Sequence, residues 1–336
     1  MIYLFWVAVL LAIALFLSVF FDKKIELTFA PAIFASIIVM YLFGVFGALY
    51  YGLFAVIGLA LACGAYVVWR MIREKKLFTE KWLTPGCAIL LVFVVIIAKM
   101  HANRIPSSFD EFTHWALTVK IMYVNDALTV TLPESCIFPD YPPATALFEY
   151  MFVRFTPDFT ESYIYRALTL LQVSLILPIT SFFNWRRFPV AAISFCSLFL
   201  IPTFFRAEAY TITGVDIALG MFFFYLIFIV ITAEKRNAFL AFAFSAAGAV
   251  LVLTKKSGVI FWLVALCLVL AYAFSRFKQI PSGEKRLRQS ALLTPLIYAG
   301  GGILALTSWS VVKGIYIPPQ AGSFRVVNVW GNLKAF

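Results

Sequence analysis

The segment from Asp110 to Trp115 places two carboxylates, a hydroxyl, an imidazole and an indole within six residues of a chain that is 63% apolar. Lys120 and the run Asp140-Tyr141-Pro142-Pro143 follow it. The chain has only 16 acidic residues in 336, and two of them stand side by side here, at the predicted end of a membrane span. Ionisable groups at such a position are costly to dehydrate and mark functional sites. We therefore predict that this segment is the catalytic loop of a membrane enzyme.

Three residues of this segment are the candidate catalytic groups. Asp110 is the preferred general base, because a carboxylate can take a proton from an attacking hydroxyl. Glu111 points about 100° away on a helix, so it either shares the chemistry or complements the helix dipole. His114 lies one helical turn from Asp110, where it either hydrogen-bonds that carboxylate, contacts a phosphate, or is a satisfied interfacial histidine.

A second set of residues is predicted to bind substrate on the same side of the membrane. The cations of this set are predicted on the outer side, against the positive-inside rule, and this exception favours a contact with phosphate. Lys255 and Lys256 would also suit a turn that anchors two helix ends by snorkelling. The acids and tyrosines would contact sugar hydroxyls or the acceptor, and Asp216 could instead cap the following helix. The set comprises Lys120, Tyr141, Arg206, Glu208, Tyr210, Asp216, Lys255 and Lys256.

The composition defines the class of protein that positions these residues. Mean hydropathy is +0.95 and 13% of residues are charged, about half the fraction of a soluble domain. Apolar runs that are long enough to cross a bilayer core of about 30 Å recur along the chain. We predict an all-α polytopic membrane protein with about ten spans, at 2–21, 28–48, 52–71, 83–100, 162–183, 189–205, 215–233, 238–254, 258–275 and 291–312.

The charge pattern predicts the orientation. The net charge of +11 is divided among short clusters after the odd-numbered spans, which places every cluster inside if the N-terminus is outside. This pattern is typical of a membrane protein and argues against nucleic-acid binding. The acids of the candidate site then face the extracytoplasmic side. The basic clusters are Asp22-Lys23-Lys24, Arg70 to Lys76, Arg186-Arg187, Lys235-Arg236 and Arg276 to Arg288.

The longest outer loop runs from about residue 101 to residue 161. Its residues 109–127 have the spacing of an amphipathic surface helix. Residues 144–155 are apolar but too few to span, which predicts an interfacial or re-entrant helix that begins at Pro142 and Pro143. The five cysteines show no paired spacing, so neither a disulfide framework nor a zinc site is indicated. Only Cys136 falls in this loop.

Three regions follow from this pattern. Residues 1–80 form an N-terminal three-helix membrane segment, in which residues 1–21 are a retained first helix. Residues 81–320 form the catalytic core with the outer loop. Residues 321–336 are a tail that reads as the start of a further loop in a longer parent protein.

The order of these motifs resembles the GT-C superfamily of membrane glycosyltransferases, which includes protein O-mannosyltransferases and lipid A aminoarabinose transferases. The shared features are an Asp-Glu pair after an early span, a long first outer loop, and a Tyr-Pro-Pro that starts a partly buried helix. Leu253 to Gly258 (LTKKSG) also resembles the Thr-Lys-x-x-Gly turn between later spans of bacterial members. The resemblance covers about residues 83–320 and implies a GT-C-like core.

The resemblance implies transfer of a sugar from a polyprenyl-phosphate donor, with inversion at the anomeric carbon, at the outer face of the cell membrane. The acceptor would be a cell-envelope glycan, a lipid or a protein. No metal site is indicated by the two histidines, although a carboxylate-only divalent cation site is an alternative. Two other functions fit the class: a transporter or flippase of lipid-linked sugars, and a non-catalytic envelope-assembly protein.

Overall fold

The computed structural model describes residues 1–75, 77–135, 137–232, 238–279 and 285–317. These residues are 80% helical and include no strand, as the composition predicts. The predictions for Cys136, for the cluster at Lys235 and for the tail 321–336 lie outside the described residues. The α-helices are α1 Ile2–Phe21, α2 Ile25–Val45, α3 Leu49–Glu74, α4 Thr79–Trp82, α5 Pro85–Met100, α6 Ala116–Asn125, α7 Ala144–Val153, α8 Ser162–Ile176, α9 Phe188–Phe205, α10 Asp216–Ile231, α11 Ala238–Val252, α12 Gly258–Gln279 and α13 Lys285–Tyr316.

Seven helical segments of the described chain are long and apolar enough to cross a membrane. Each of the ten predicted spans coincides with a helix, but α5, α10 and α11 contain only 16, 16 and 15 residues. A membrane-spanning helix needs about 20, so the predicted number of ten is not confirmed. The seven segments are Ile2–Phe21, Ile25–Val45, Leu49–Glu74, Ser162–Phe182, Trp185–Phe205, Gly258–Ser275 and Pro295–Tyr316.

Glycines allow the last three helices to pack closely. A side chain at Gly301 of α13 would collide with the backbone of Ser245 in α11, and the Gly301 N–H donates to the Ser245 hydroxyl over 2.9 Å. Gly248 and Gly302 leave room for the indole of Trp262 from α12. Small residues at helix contacts permit such close approach in membrane proteins, and here they fix the turn between α11 and α12 relative to the rest of the bundle.

Polar contacts join helix ends at the end of the bundle opposite the candidate site. The Lys24 ammonium donates to the Ser181 carbonyl over 2.7 Å, and the Trp185 indole donates to the Leu83 carbonyl over 2.9 Å. The charge pattern predicts that the span ends next to these residues lie on the same side of the membrane. The other end of the bundle holds the residues between α5 and α8.

The loop between α5 and α8 differs in form from its prediction. The structure is helical over 109–125, close to the predicted 109–127, but Glu111–Trp115 form a π-helix that continues into α6. The helix predicted over 144–155 is α7, Ala144–Val153, and all ten of its residues are buried within the bundle. The sequence spacing could not show this burial, since the covering residues come from distant parts of the chain.

An ion pair fastens this loop where α6 ends. Asp126 has a left-handed backbone, with φ 50°. Its carboxylate accepts hydrogen bonds from the Arg154 guanidinium at 2.6 and 2.8 Å. The Tyr150 hydroxyl donates to the same carboxylate over 2.6 Å. Burial opposes the charge on Asp126, but these hydrogen bonds outweigh it and lower its pKa. The ends of α6 and α7 are therefore held together.

Candidate functional site

The candidate site is built around the buried imidazole of His114. This side chain is 6% exposed, and three aromatic rings surround it. The ring centroids of Tyr141, Trp115 and Phe138 lie 4.5, 4.6 and 5.7 Å from that of His114. The π-helix supplies His114 and Trp115, and the segment before α7 supplies the other two rings. The predicted catalytic loop and the Tyr-Pro-Pro run are therefore in direct contact.

Lys255 joins this cluster from the turn between α11 and α12. Its ammonium lies 2.5 Å from a carboxylate oxygen of Asp216, the first residue of α10. The same ammonium lies 5.8 Å from the centroid of the Trp115 ring, within the range of a cation–π contact. Lys255 and Asp216, both predicted to bind substrate, therefore form an ion pair beside the π-helix.

Lys256 makes a matching pair with the segment before α7. Its ammonium contacts the Asp140 carboxylate and lies 5.5 Å from the centroid of the Tyr141 ring. The Ala144 N–H donates to the Leu253 carbonyl over 2.7 Å. This bond holds the segment against the turn that carries Lys255 and Lys256 (the lysine turn). Asp140 is a site residue that the sequence prediction did not name, although it belongs to the run that carried the resemblance.

Local contacts explain the sequence of the lysine turn. The Thr254 hydroxyl donates to the Val250 carbonyl over 2.8 Å, and the Gly258 N–H donates to the Lys255 carbonyl over 2.8 Å. A side chain at Gly258 would collide with the backbone of Leu251. The glycine therefore permits the tight turn, and the turn projects two adjacent lysines towards one surface.

Glu111 has a structural role: its hydrogen bonds join the π-helix to the loop before α10, and we call this residue the latch. Its carboxylate is 1% exposed and accepts four hydrogen bonds, from the N–H groups of Ser107, Ser108 and Thr213 at 2.9, 3.0 and 2.9 Å and from the Tyr165 hydroxyl at 2.7 Å. Burial opposes ionisation, but these hydrogen bonds outweigh it and lower the pKa of Glu111. Every lone pair is occupied, so the geometry favours a structural role over a catalytic one.

Arg104 fastens the same loops from the other side. Its guanidinium donates to the Thr211 carbonyl at 2.9 and 2.5 Å and to the Ser107 hydroxyl at 3.2 Å, and it lies 5.7 Å from the centroid of the Tyr165 ring. Arg104 and Glu111 therefore both hold the loop before α10 beside the π-helix. This contact places Asp216 within reach of Lys255, and nothing in the sequence pattern predicted it.

Asp110 stands apart from these bonds. Its side chain is exposed, and within the described part of the chain its carboxylate makes no hydrogen bond or ion pair. Asp140 and Asp216 are occupied by lysines, whereas Asp110 keeps its lone pairs for an external group. One of the alternatives for His114, a hydrogen bond to Asp110, is not formed among the described residues. Their link is electrostatic, because the Asp110 charge raises the pKa of His114.

His114 is neutral at physiological pH. Burial lowers its pKa to about 4, with a further lowering by Lys255, and the nearby charges of Asp140 and Asp110 only partly offset this. Its Nδ1 atom has no hydrogen-bond partner in the described part of the structure. A neutral imidazole cannot attract a phosphate by charge, so the lysines are the better candidates for that contact.

The buried histidine predicts a loss of stability in acid. Its pKa of about 4 lies below the usual value of about 6.5, so the folded state binds the proton more weakly than the unfolded state. Stability is then fully present above pH 6.5 and falls as the pH approaches 4. His101, whose pKa burial also lowers to about 4, acts in the same window.

Melting temperatures of the purified protein from pH 7.5 to pH 4.5 test this expectation. His114→Phe keeps the aromatic packing and removes the titrating group, so it should reduce the acid-induced decrease in melting temperature. His101→Phe should reduce it separately. A decrease that is identical in wild type and in both variants would show that neither histidine is responsible.

Four of the predicted substrate-binding residues lie outside this cluster. Lys120 is exposed, with its ammonium 5.8 Å from the Phe159 ring centroid, and Arg206 and Glu208 are exposed in the loop before α10. Tyr210 is buried, where its hydroxyl donates to the Phe199 carbonyl at 2.5 Å and its ring stacks on that phenylalanine. The structure gives Tyr210 a packing role.

Within the described ranges, no three His, Cys, Asp or Glu side chains are grouped so as to hold a metal ion. The free cysteines of those ranges, Cys63, Cys87, Cys196 and Cys267, lie elsewhere. No protein-family model, curated protein or solved structure matches the chain. The residues of the site must therefore support any assignment of function.

Proposed function

We propose that this protein is a GT-C-like membrane glycosyltransferase that moves a sugar from a polyprenyl-phosphate donor to a hydroxyl of a glycan, lipid or protein acceptor. The observation that supports this proposal is that Asp110, an exposed carboxylate with no bonding partner among the described residues, and Lys255 both act electrostatically on the buried His114, with Lys256 next to Lys255 in the same turn. A carboxylate and a pair of cations are the groups that transfer from a phosphate ester requires.

The proposed reaction is a direct displacement. Asp110 takes the proton of the acceptor hydroxyl as its oxygen attacks the anomeric carbon. The bond between that carbon and the phosphate oxygen breaks, and the phosphate leaves with the electron pair. Lys255 and Lys256 stabilise the negative charge that develops on the leaving phosphate. One bond forms and one breaks, with inversion at the carbon.

The two ion pairs prepare the lysines for this role. Asp216 and Asp140 hold the ammonium groups in place before the donor binds, and the phosphodiester anion of the donor, which gains a second negative charge as it leaves, would compete with these carboxylates. The rings of Trp115 and Tyr141 beside the lysines provide faces for the apolar side of a sugar. Partly exposed pairs are weak in water, so the exchange of partners costs little.

The charge pattern supports an extracytoplasmic position for this site in the cell membrane. Contacts such as that of Lys24 with Ser181 join helix ends that carry basic clusters, and the candidate site lies at the other end. Under the positive-inside rule the basic end is cytoplasmic. The donor phosphate would then be bound at the outer leaflet.

A transporter would need ionisable groups along its path through the membrane. The charged residues of the seven candidate spans lie near the helix ends, as Glu26, Arg166 and Lys313 do. Within these seven spans no charged residue lies at the middle of a helix, which does not favour the transporter. A non-catalytic assembly protein is tested by the transfer assay itself, since it would show no turnover.

Replacement of both lysines by glutamine should weaken use of the donor. Loss of charge-assisted bonds to phosphate is expected to reduce kcat/KM for the donor by about 1–3 kcal/mol, or roughly 5- to 150-fold. The assay measures transfer of radiolabelled sugar from a polyprenyl phosphate in membranes. Lys278→Gln, at the opposite end of α12, is the control and should retain wild-type kinetics. Unchanged donor kinetics in the double variant would leave the lysines only their anchoring role.

A further inference from the structure

The segment that carries Asp110 has a distribution of side chains opposite to that of a loop in water. It buries Glu111 and His114, whereas Phe109 and Phe112 are 77% and 60% exposed. In a loop that faces water, phenylalanine is among the residues most often buried and glutamate is among those most often exposed. The distribution therefore indicates that the outward face of this segment has apolar surroundings.

Exposed apolar side chains precede and follow Asp110 in the chain. Phe109 stands directly before it and Phe112 two residues after it, and Ile105 is a third large apolar residue that is exposed in the same segment. A group of large exposed apolar side chains marks a contact with a membrane or with another apolar partner. The outward face, which we define as Ile105, Phe109 and Phe112, is therefore a contact surface that adjoins the exposed carboxylate.

The outward face adjoins two helices whose apolar side chains are exposed towards the bilayer. α5 ends just before Ile105 and packs on α9 through aromatic rings whose centroids lie 4.7 and 5.0 Å apart. α9 belongs to a candidate membrane span, and its last two residues, Phe204 and Phe205, are exposed. The loop that follows them is fastened to Arg104 through the Thr211 carbonyl. The outward face thus continues the lipid-facing surface of the bundle, and its position favours lipid as the occupant.

We propose that the outward face lies in the outer interface of the bilayer and that the acceptor of the sugar is a lipid that carries a hydroxyl group. This inference rests on the proposed function, in which Asp110 is the base. A lipid would place its apolar part against Phe109 and Phe112 and its hydroxyl beside the carboxylate between them. A soluble glycan has no apolar part that matches this face, so the structure favours the lipid among the three acceptor classes.

The position of the outward face can be measured without any transfer reaction. A nitroxide is attached to Phe109→Cys or, as the control, to Glu134→Cys, in the full chain with its five native cysteines replaced, and the protein is reconstituted in phosphatidylglycerol vesicles. Glu134 is an exposed acid of the same outer loop. We expect the label at position 109 to be reached by oxygen, which concentrates in hydrocarbon, and to be shielded from a water-soluble nickel chelate that reaches position 134. Equal access of the chelate to both labels would overturn the proposal.

The class of acceptor is tested by following the label after transfer. Membranes that contain the protein receive a radiolabelled polyprenyl-phosphate sugar, and the products are separated into solvent-extractable lipid, precipitated protein and water-soluble glycan. Mild acid cleaves the sugar phosphate of unused donor and leaves a glycosidic bond intact. We expect acid-stable label in the lipid fraction. Label in protein or soluble glycan alone would overturn the inference and leave the proposed function standing, whereas no transfer into any fraction would contradict both.

Replacement of both Phe109 and Phe112 by serine is expected to reduce transfer to lipid about tenfold, because the acceptor loses its apolar contact. Folding should be unaffected, since both side chains are exposed. Val124→Ser, at an exposed apolar position near the far end of α6, is the matched control and should transfer like the wild type. A double variant that melts and transfers like this control would contradict the proposal.

Discussion

Replacement of Glu111 by alanine is expected to destabilise the protein more than any other single change in the outer loop. The substitution leaves the buried Thr213 N–H and Tyr165 hydroxyl, and the partly buried N–H groups of Ser107 and Ser108, without their acceptor. Removal of one partner from a buried, charged network costs about 3–5 kcal/mol. The loop before α10 would lose its hydrogen bond to Glu111 and would keep its contacts with Arg104 and Phe199.

Thermal melting in detergent, followed by size-exclusion chromatography, measures this effect. Glu111→Ala should show a much lower melting temperature and a poor yield of folded protein. Glu111→Gln retains one acceptor oxygen and should fall between alanine and wild type. Glu134→Ala is the control, because Glu134 is an exposed acid of the same loop and should melt like wild type. A Glu111→Ala protein as stable as the control would exclude the latch.

The same comparison separates structure from chemistry at the Asp-Glu pair. If Glu111 is only a latch, Glu111→Gln protein that has folded should transfer sugar at a rate close to that of wild type. If Glu111 is the base, the folded fraction of that variant should be inactive. The activity per mole of folded protein therefore decides between the two roles.

The sequence predicted the helices well, because the length of an apolar run is dictated by the membrane. For the predicted spans, the differences lie at the helix ends. Thr84 accepts the Cys87 N–H and Pro85 follows it, which begins α5 within two residues of the prediction, and Asp216 begins α10 one residue later than predicted. Such small differences leave three helices short of a full span, and hydropathy alone does not resolve them.

The site was predicted in part for a similar reason. The sorting of charges by membrane face grouped Asp216, Lys255 and the Asp110 segment, since all three lie at the same end of the bundle. It could not pair Lys255 with Asp216, because that contact depends on how α10 and α12 pack. Nor could it show which of two adjacent acids is buried. The partners of Glu111 are Tyr165 and Thr213, which lie far along the chain.

The π-helix was also outside the reach of sequence spacing. With a wider turn over Glu111–Trp115, the residues that follow are displaced from positions expected for an α-helix. His114 consequently packs against Tyr141 and not against Asp110. Single π-helical turns are frequent at functional sites, and this one combines an exposed carboxylate with a buried imidazole.

Asp110→Asn is expected to have the largest effect on activity. The change keeps the size of the side chain and removes the basic oxygen, and the loss of a general base typically reduces the rate by about 10²–10⁴-fold. Folding should be unaffected, because Asp110 is exposed and has no bonding partner within the described residues. Asp158→Asn, another exposed acid of the outer loop, is the matched control and should retain full activity.

Transfer of radiolabelled sugar from a polyprenyl-phosphate donor, measured in membranes that contain the wild type, Asp110→Asn or Asp158→Asn at equal folded amounts, tests the central proposal most directly. We expect transfer by the wild type and by Asp158→Asn, and a loss of at least about 100-fold in Asp110→Asn. Wild-type membranes that transfer no more sugar than membranes without the protein, or an Asp110→Asn variant that transfers at the normal rate, would contradict the account.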